Sequence, residues 1–485
     1  MSWYDRLLAG IAPDYAVRRI SAKNVVSAYE SAKTSRTHKP KREDRGPNTP
    51  VTESAVSLRQ QGRYLEQNND IAKGALDILV ARTVGMGILP EFMVEDTNGD
   101  LHEEVNEQLA SLYDEWCRRP EVTWTLDEPS AQRMSARTYF RDGEYLMQHL
   151  LGNTRGLQHG TKVPYSYELI ESDMLPMHYH KQKPLVVSGV EMNGGGRPTA
   201  YHLLKSDPYD VSKFSRFNEE TRVIPASKIS HLAIRNRFRQ VRGTSVFAVV
   251  IKRLQDINEI DETERVAARM AAAIALYIKK GDPTIYSPPD SEAGDEDPRE
   301  IDIYPGMVID DLLPGEDVGS VISNRPNNQL IAFKGDQMRH AAAGIGVSGS
   351  ALSKNYNGTY SAQRQELVEQ HDHYGILWQD FIGRSERPKL ENFINMAIAS
   401  RVIRIPDNVK QDTLLNMNFS RPAMPWIQPK QEAEGWMTLI EGKLESRSAV
   451  IRSRGKNPRQ VDKQIEREER KNAQDTKDPE DTPEE

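Results

Sequence analysis

The sequence contains a single cysteine, Cys117 in YDEWCRRP, so it can close no internal disulfide and build no thiolate metal site. No stretch approaches the roughly 20 apolar residues that a membrane helix needs. Its opening, MSWYDRLLAGIAPDYAVRR, has Asp5 where a secretory signal would be basic. The chain is therefore expected to stay in a reducing cytoplasm, away from membranes. A basic excess is missing too: 64 Lys and Arg stand against 71 Asp and Glu, a formal net charge of -7. A protein that holds DNA from outside through its phosphates carries the opposite balance. The phosphate-cradling G-x-x-x-x-G-K-[ST] loop of an ATPase is absent, because Gly442-Lys443 and Gly455-Lys456 are followed by Leu and Asn. There is no G-x-S-x-G elbow, and HEEVN at 102–106 lacks the second histidine of a zinc protease helix. These absences argue against catalysis, and nothing in the sequence calls for a cofactor.

What is present is length and texture. A chain of 485 residues can bury several cores without staples. Residues 1–50 carry ten Lys and Arg against five Asp and Glu and read as a basic arm, whereas DSEAGDEDPREID at 290–302 holds seven acids and one Arg. Helical spacing is expected in VTESAVSLRQQGRYLEQN, in NNDIAKGALDILVARTVGMG with Asp70 as N-cap and Gly85 as stop, in LHEEVNEQLASLYDEWCRR and in PSAQRMSARTYFRDG. From about 144 to 234 the period turns toward two, in EYLMQHLL, PYSYELIE, LVVSGVEM, TAYHLL and KISHLAI, which reads as a small sheet in a mostly helical α+β protein. Ser245 to Lys280 contains neither Gly nor Pro and reads as one helix of some 50 Å. A shorter helix follows in NNQLIAFKGDQMRHAAAGI, and further helices in SAQRQELVEQHDHYGILWQDFIG and KLENFINMAIASRVI.

Several motifs invite a site. Gly344, Gly346 and Gly349 spell G-x-G-x-x-G, but a dinucleotide fingerprint follows a strand, and here a helix precedes it and a polar loop follows. The glycines and serines read instead as backbone freedom in an exposed loop. His371 and His373 point to different faces of a helix, and neither they nor His178 and His180 have a completing ligand set, so no metal site is expected. The segment IRNRFRQVRG gathers Arg235, Arg237, Arg239 and Arg242 around Phe238. That texture suits a nucleic-acid contact, but in an acidic chain the preferred reading is pairing with carboxylates across a subunit interface.

In sequence order, NNDIAKGALDILVARTVGMGI, RQVRGTSVFAVVIKRLQDINEIDETERVAARMAAAIALYI, PGMVIDDLLPGE and RPNNQLIAFKGDQMRHAAAGIGVSGSALSKNYNGTYSAQRQELVE resemble the portal (head-tail connector) proteins of lambda-type tailed bacteriophages. The resemblance runs from about residue 60 to 465. It implies the portal fold of wing, stem, clip and crown, assembled as a ring, usually a dodecamer, at one capsid vertex of a virion put together in the host cytoplasm.

The parts map as a basic N-terminal arm (1–50), an α+β wing (51–240), a long stem helix (241–280), an acidic clip (281–328), a second stem helix (329–345), a tunnel loop (346–360), wing helices (361–420) and a crown with an acidic tail (421–485). By the same resemblance Ser350, Ser353, Lys354, Asn355 and Tyr356 would touch double-stranded DNA in the channel without reading its sequence. Glu259, Asp261, Glu262 and Glu264 would line the stem. Asp290, Glu292, Asp295, Glu296 and Asp297 of the clip would dock the large terminase subunit during packaging, and head-completion or adaptor proteins later; major capsid and scaffold proteins are the other implied partners. Two readings compete, a nucleic-acid-binding module that does not form a channel and a packaging enzyme. The missing phosphate loop weighs against the second, and mass in solution separates the first.

Overall fold

The computed structural model describes residues 10, 12–26, 36, 39, 41–154, 156–209, 220–272, 276–280, 316–320, 328–423 and 429–475. The first 50 residues form a unit of their own that contains helix α1 (Pro13–Val26). Helix α2 (Asn48–Asn68) leads into the second unit, Val51–Glu485, and α3 (Asp70–Thr83) follows at once. The cap of α3 is Asn69, not Asp70: the Asn69 side chain accepts the Ala72 N–H at 2.9 Å, and Asp70 occupies the first turn. Gly85, at φ +61°, ends the run as expected.

Strand β1 (Pro90–Phe92) precedes α4 (Glu103–Trp116) and α5 (Glu128–Asp142), the latter closed by Gly143 in the left-handed region. Strands β2 (Glu144–Leu151) and β3 (Tyr165–Glu171) fall where alternation put them. Next come β4 (Val186–Val187), β5 (Val190–Met192), β6 (Pro198–Leu204), β7 (Thr221–Pro225) and β8 (Ile229–Ala233). They form two antiparallel sheets, β3-β2-β8 and β4-β5-β6-β7. The short β7 carries a terminal proline, which is why TRVIP gives little strand signal.

The principal core lies between α3, α4, α5 and the three-stranded sheet. At its centre Trp116 stacks on Tyr165 with ring centroids 5.5 Å apart, meets Tyr113, Tyr167 and Phe393, and donates its indole N–H to the Tyr165 carbonyl at 2.9 Å. A side chain this buried contributes about 2–3 kcal/mol by area alone. Cys117 next to it is half-buried, and burial pushes its thiol up and away from reactivity.

A 3-10 turn (Val246–Val249), capped by Ser245, opens helix α6 (Ile251–Ala272). This helix does not run to Lys280. It spans 22 residues, about 33 Å, and Leu276–Lys280 is a strand, β9, paired antiparallel with β10 (Glu316–Ser320). The sequence offers no Gly or Pro stop there, and ALYIKK carries the aromatic and β-branched residues that suit a strand. Helix α7 (Asn328–Ile345) returns antiparallel to α6. The two are tied by Lys334 to Asp261 at 2.6 Å and by Arg253 to Gln337. Their close approach to the body is set by Gly344, where a Cβ would stand 2.5 Å from Val250 Cγ1.

After the one-turn helix α8 (Gly349–Ser353), α9 (Tyr360–Phe381) passes through a π-turn (Ile382–Glu386) straight into α10 (Arg387–Ala399). The π-turn turns Glu386 into the core, where it meets Glu128 and Lys389, all three almost fully buried. The ammonium bonds Glu128 and lies 2.8 Å from Glu386; Gln132 donates to Glu386 at 2.8 Å, and the Tyr167 hydroxyl donates to Glu128 at 2.7 Å. Strand β11 (Met417–Phe419) pairs with β1, and α11 (Pro429–Glu441), α12 (Arg447–Ser453) and α13 (Pro458–Asp475) complete the chain. Among the described residues no helix is long and apolar enough to cross a membrane.

Candidate DNA-facing segment, stem carboxylates and arginine loop

The stretch GIGVSGSALSKNYNGTY joins the end of α7 to the start of α9, and it is built rather than loose. Gly346 sits at φ +85°, and a Cβ on it would lie 2.7 Å from His373 Nε2, so both conformation and space demand glycine. Val347 is buried and pins the chain to the core. Ser348 caps α8 by accepting the Ala351 N–H at 3.1 Å, while its own hydroxyl donates to Glu366 Oε1 at 2.6 Å. Ser350 donates to the same carboxylate twice, from its N–H at 3.2 Å and from its hydroxyl at 2.7 Å. Burial pushes the Glu366 carboxyl up, and the bonds from Ser348, Ser350 and the Gly349 N–H outweigh it and hold it below the ordinary range.

The expected flexible loop is thus a capped helical turn, and its serines are fastenings. Ser350 and Ser353 are half-buried, with their hydroxyl protons given to Glu366 and to the Gly349 carbonyl, so neither is aimed outward as expected. Lys354, Asn355 and Tyr356 are exposed. Lys354 closes α8 at φ +55°, the left-handed region. Asn355 accepts the Asn357 N–H at 3.1 Å, and the Gln363 amide donates to the Tyr356 carbonyl, so the turn is held on both flanks. Behind it lies a cavity of about 670 Å³ between α3, α8 and α9, lined by Ile78, Arg82, Lys354, Glu366 and Tyr374 among others.

The stem carboxylates do not share one face. Glu259 and Glu264 border a groove of about 570 Å³ between α6 and α7, with Ile257, Ile260, Leu330 and Phe333 as its apolar lining. Asp261 is bridged to Lys334 across the hairpin, and Glu262 is exposed and paired with Arg265 on its own helix. Asp261 and Glu262 are therefore locally compensated. The proposed clip residues Asp290, Glu292, Asp295, Glu296 and Asp297 lie outside the described residues.

The arginines separate into two kinds. Arg242 is 1% exposed and spends its guanidinium inside the chain, donating to Glu144 at 2.8 Å and to the carbonyls of Leu175, Ser188 and Ser172 at 2.8, 3.0 and 3.1 Å. It is a core cation, not a group offered to a neighbouring subunit as expected. Glu144 also receives His231 and the Gly243 N–H. Burial pushes the Glu144 carboxyl up, yet the Arg242 charge and the His231 bond overcome it and hold it far below the usual range. The crossing is possible because Gly143 and Gly243 lack side chains: a Cβ on Gly243 would lie 2.1 Å from the Gly143 carbonyl oxygen. Arg235, Arg237 and Arg239 stay at the surface around Phe238, which is 100% exposed on a turn fixed by Gln240.

Sequence reasoning missed Glu366 and the Glu128–Glu386–Lys389 cluster. Glu366 meets serines 16 and 18 positions back across a turn, and Lys389 meets Glu128 from 261 positions away, separations that sequence spacing does not reveal.

The chain matches the model of the phage portal protein, lambda family, over residues 33–377. It is 24% identical over 425 residues to the probable portal protein of Halomonas phage phiHAP-1, covering 84% of this chain and 79% of that one. It is 23% identical over 292 residues to portal protein B of Escherichia phage lambda, covering 54% of this chain, so that it spans about half (52%) of that relative's length. Among solved structures, a chain of the neck of a native GTA particle computed with C12 symmetry aligns over 83% of this chain and 94% of its own, with a TM-score of 0.43 at 12% identity. On the family match, which takes in both α6–α7 and the Lys354 turn, the chain belongs to the lambda family of phage portal proteins.

Proposed function

We propose that this chain is the ring-forming subunit of a portal at one capsid vertex, most simply a dodecamer. It is the conduit for double-stranded DNA entering under a terminase motor and leaving at ejection, and the platform for head-completion and tail proteins. Its role is structural, without catalysis or cofactor. The observation that carries the reading is the Lys354–Asn355–Tyr356 turn. It exposes the one Lys or Arg between Arg339 and Arg364 at the root of the stem hairpin, on a framework braced from both sides. Repeated around a ring, it would touch phosphates weakly and without sequence readout. A channel otherwise lined by acids such as Glu259 would let DNA slide.

The test is native mass with electron microscopy of the purified protein, followed by DNA packaging with Lys354→Ala and Lys354→Glu. Open rings and slowed packaging, more so for Glu, support the reading; a persistent monomer that binds DNA tightly and in a salt-dependent way would replace it with the binding-module reading. The exposed Arg237–Phe238–Arg239 turn is the feature that would favour that alternative.

A further inference from the structure

We propose that Glu366 is the positioning residue of the Lys354 turn: its carboxylate, standing on α9, fastens the first turn of α8 and so fixes where Lys354 and Tyr356 point. Hydrogen bonds from the Ser348 hydroxyl at 2.6 Å, the Ser350 hydroxyl at 2.7 Å and the Ser350 N–H at 3.2 Å converge on this one group. Together with the cap from Ser348 to Ala351, they satisfy the Ser350 and Ala351 N–H groups that open the five-residue helix. Helices this short have no stability of their own. The apolar anchors beside them are few: Leu352 and Val347 are buried, but residues 354–360 are all exposed. The turn therefore depends on an anchor from outside, and Glu366 supplies it from a helix that continues through the π-turn into the core. Any displacement of the α9 N-terminal half carries the Lys354 turn with it as one body.

That the turn meets DNA rests on the function proposed above; that Glu366 positions it does not. The experiment is amide hydrogen exchange on the assembled full-length protein over residues 348–358, for wild type, Glu366→Ala, Glu366→Gln and Ser350→Ala, with Glu369→Ala as an exposed neighbour on the same helix. Glu366→Ala is expected to speed exchange of the 350–354 amides by about tenfold with the global unfolding midpoint nearly unchanged. Glu366→Gln, which keeps length and one acceptor oxygen, should recover part of the protection, Ser350→Ala should loosen the turn without removing the charge, and Glu369→Ala should do nothing. Unchanged exchange in both Glu366→Ala and Ser350→Ala would overturn the inference.

Packaging by the same variants separates the two ideas. If Glu366→Ala loosens the turn while Lys354→Ala packages normally, positioning stands and the DNA-facing reading falls. If Lys354→Ala is defective while a loosened Glu366→Ala packages like wild type, positioning by Glu366 still stands, and the Lys354 charge matters to packaging without a fixed posture.

Discussion

Lys389 shows how a single buried charge can decide the stability of a core. Removing it by Lys389→Ala would leave Glu128 and Glu386 facing each other in a dry core, at an expected cost of about 3–5 kcal/mol. Glu386→Gln should cost under about 1 kcal/mol: burial and the Glu128 charge already push the Glu386 carboxyl up, so the folded state resists its second negative charge. Urea midpoints at neutral pH would distinguish the two. Glu144 carries the opposite sign. Its carboxyl is held below the ordinary 4.5, so the stability it contributes is complete above that pH and drains away as the pH falls beneath it. The urea midpoint should drop between pH 5 and 3. In Arg242→Met, which removes the cation that depresses the carboxyl, the protein should be weaker at neutral pH and the acid slope shallower.

At the scale of elements, the junction between α7 and α9 makes a paired prediction. Gly346→Ala forces a side chain into the left-handed region and against His373, and should cost about 1–3 kcal/mol. Gly349→Ala, whose nearest neighbour would be Arg339 Cγ at 3.7 Å, opens α8 without strain and should be neutral or stabilising by up to about 1 kcal/mol. Thermal melts of the two variants would check this. The same junction marks where sequence reading holds and where it stops. Periodicity found β2, β3 and α5 nearly to the residue, because one face of each is buried and the pattern records it. It could not end α6 at Ala272, since what competes there is pairing between β9 and β10, forty positions apart. Nor could it show that Ser350 faces Glu366, or that Arg242 lies in the core, because a hydroxyl or a guanidinium looks the same in sequence whether it faces solvent or a distant carboxylate.

At the scale of the whole molecule, the α6–α7 hairpin is two helices thick among the described residues. Ile331 is 77% exposed and Phe333 50% exposed on α7, where a compact monomer would cover them. In the proposed ring, neighbouring copies would cover them, so Ile331→Asp should shift the native mass distribution from rings toward smaller species while leaving the melting temperature of the α3–α5 core in place. Native mass spectrometry beside a thermal scan reads both.

Lys354 has a further consequence. A lysine at φ +55° holds a backbone shape that glycine adopts without steric cost, so Lys354→Gly should stabilise the fold by about 1 kcal/mol and raise the unfolding midpoint with it. A library at this position selected only for heat resistance would drift to glycine and asparagine, whereas one selected for infectious particles would keep the cation under the DNA-contacting role proposed for it. The distance between the two selections would measure how much stability the virus gives up for one positive charge.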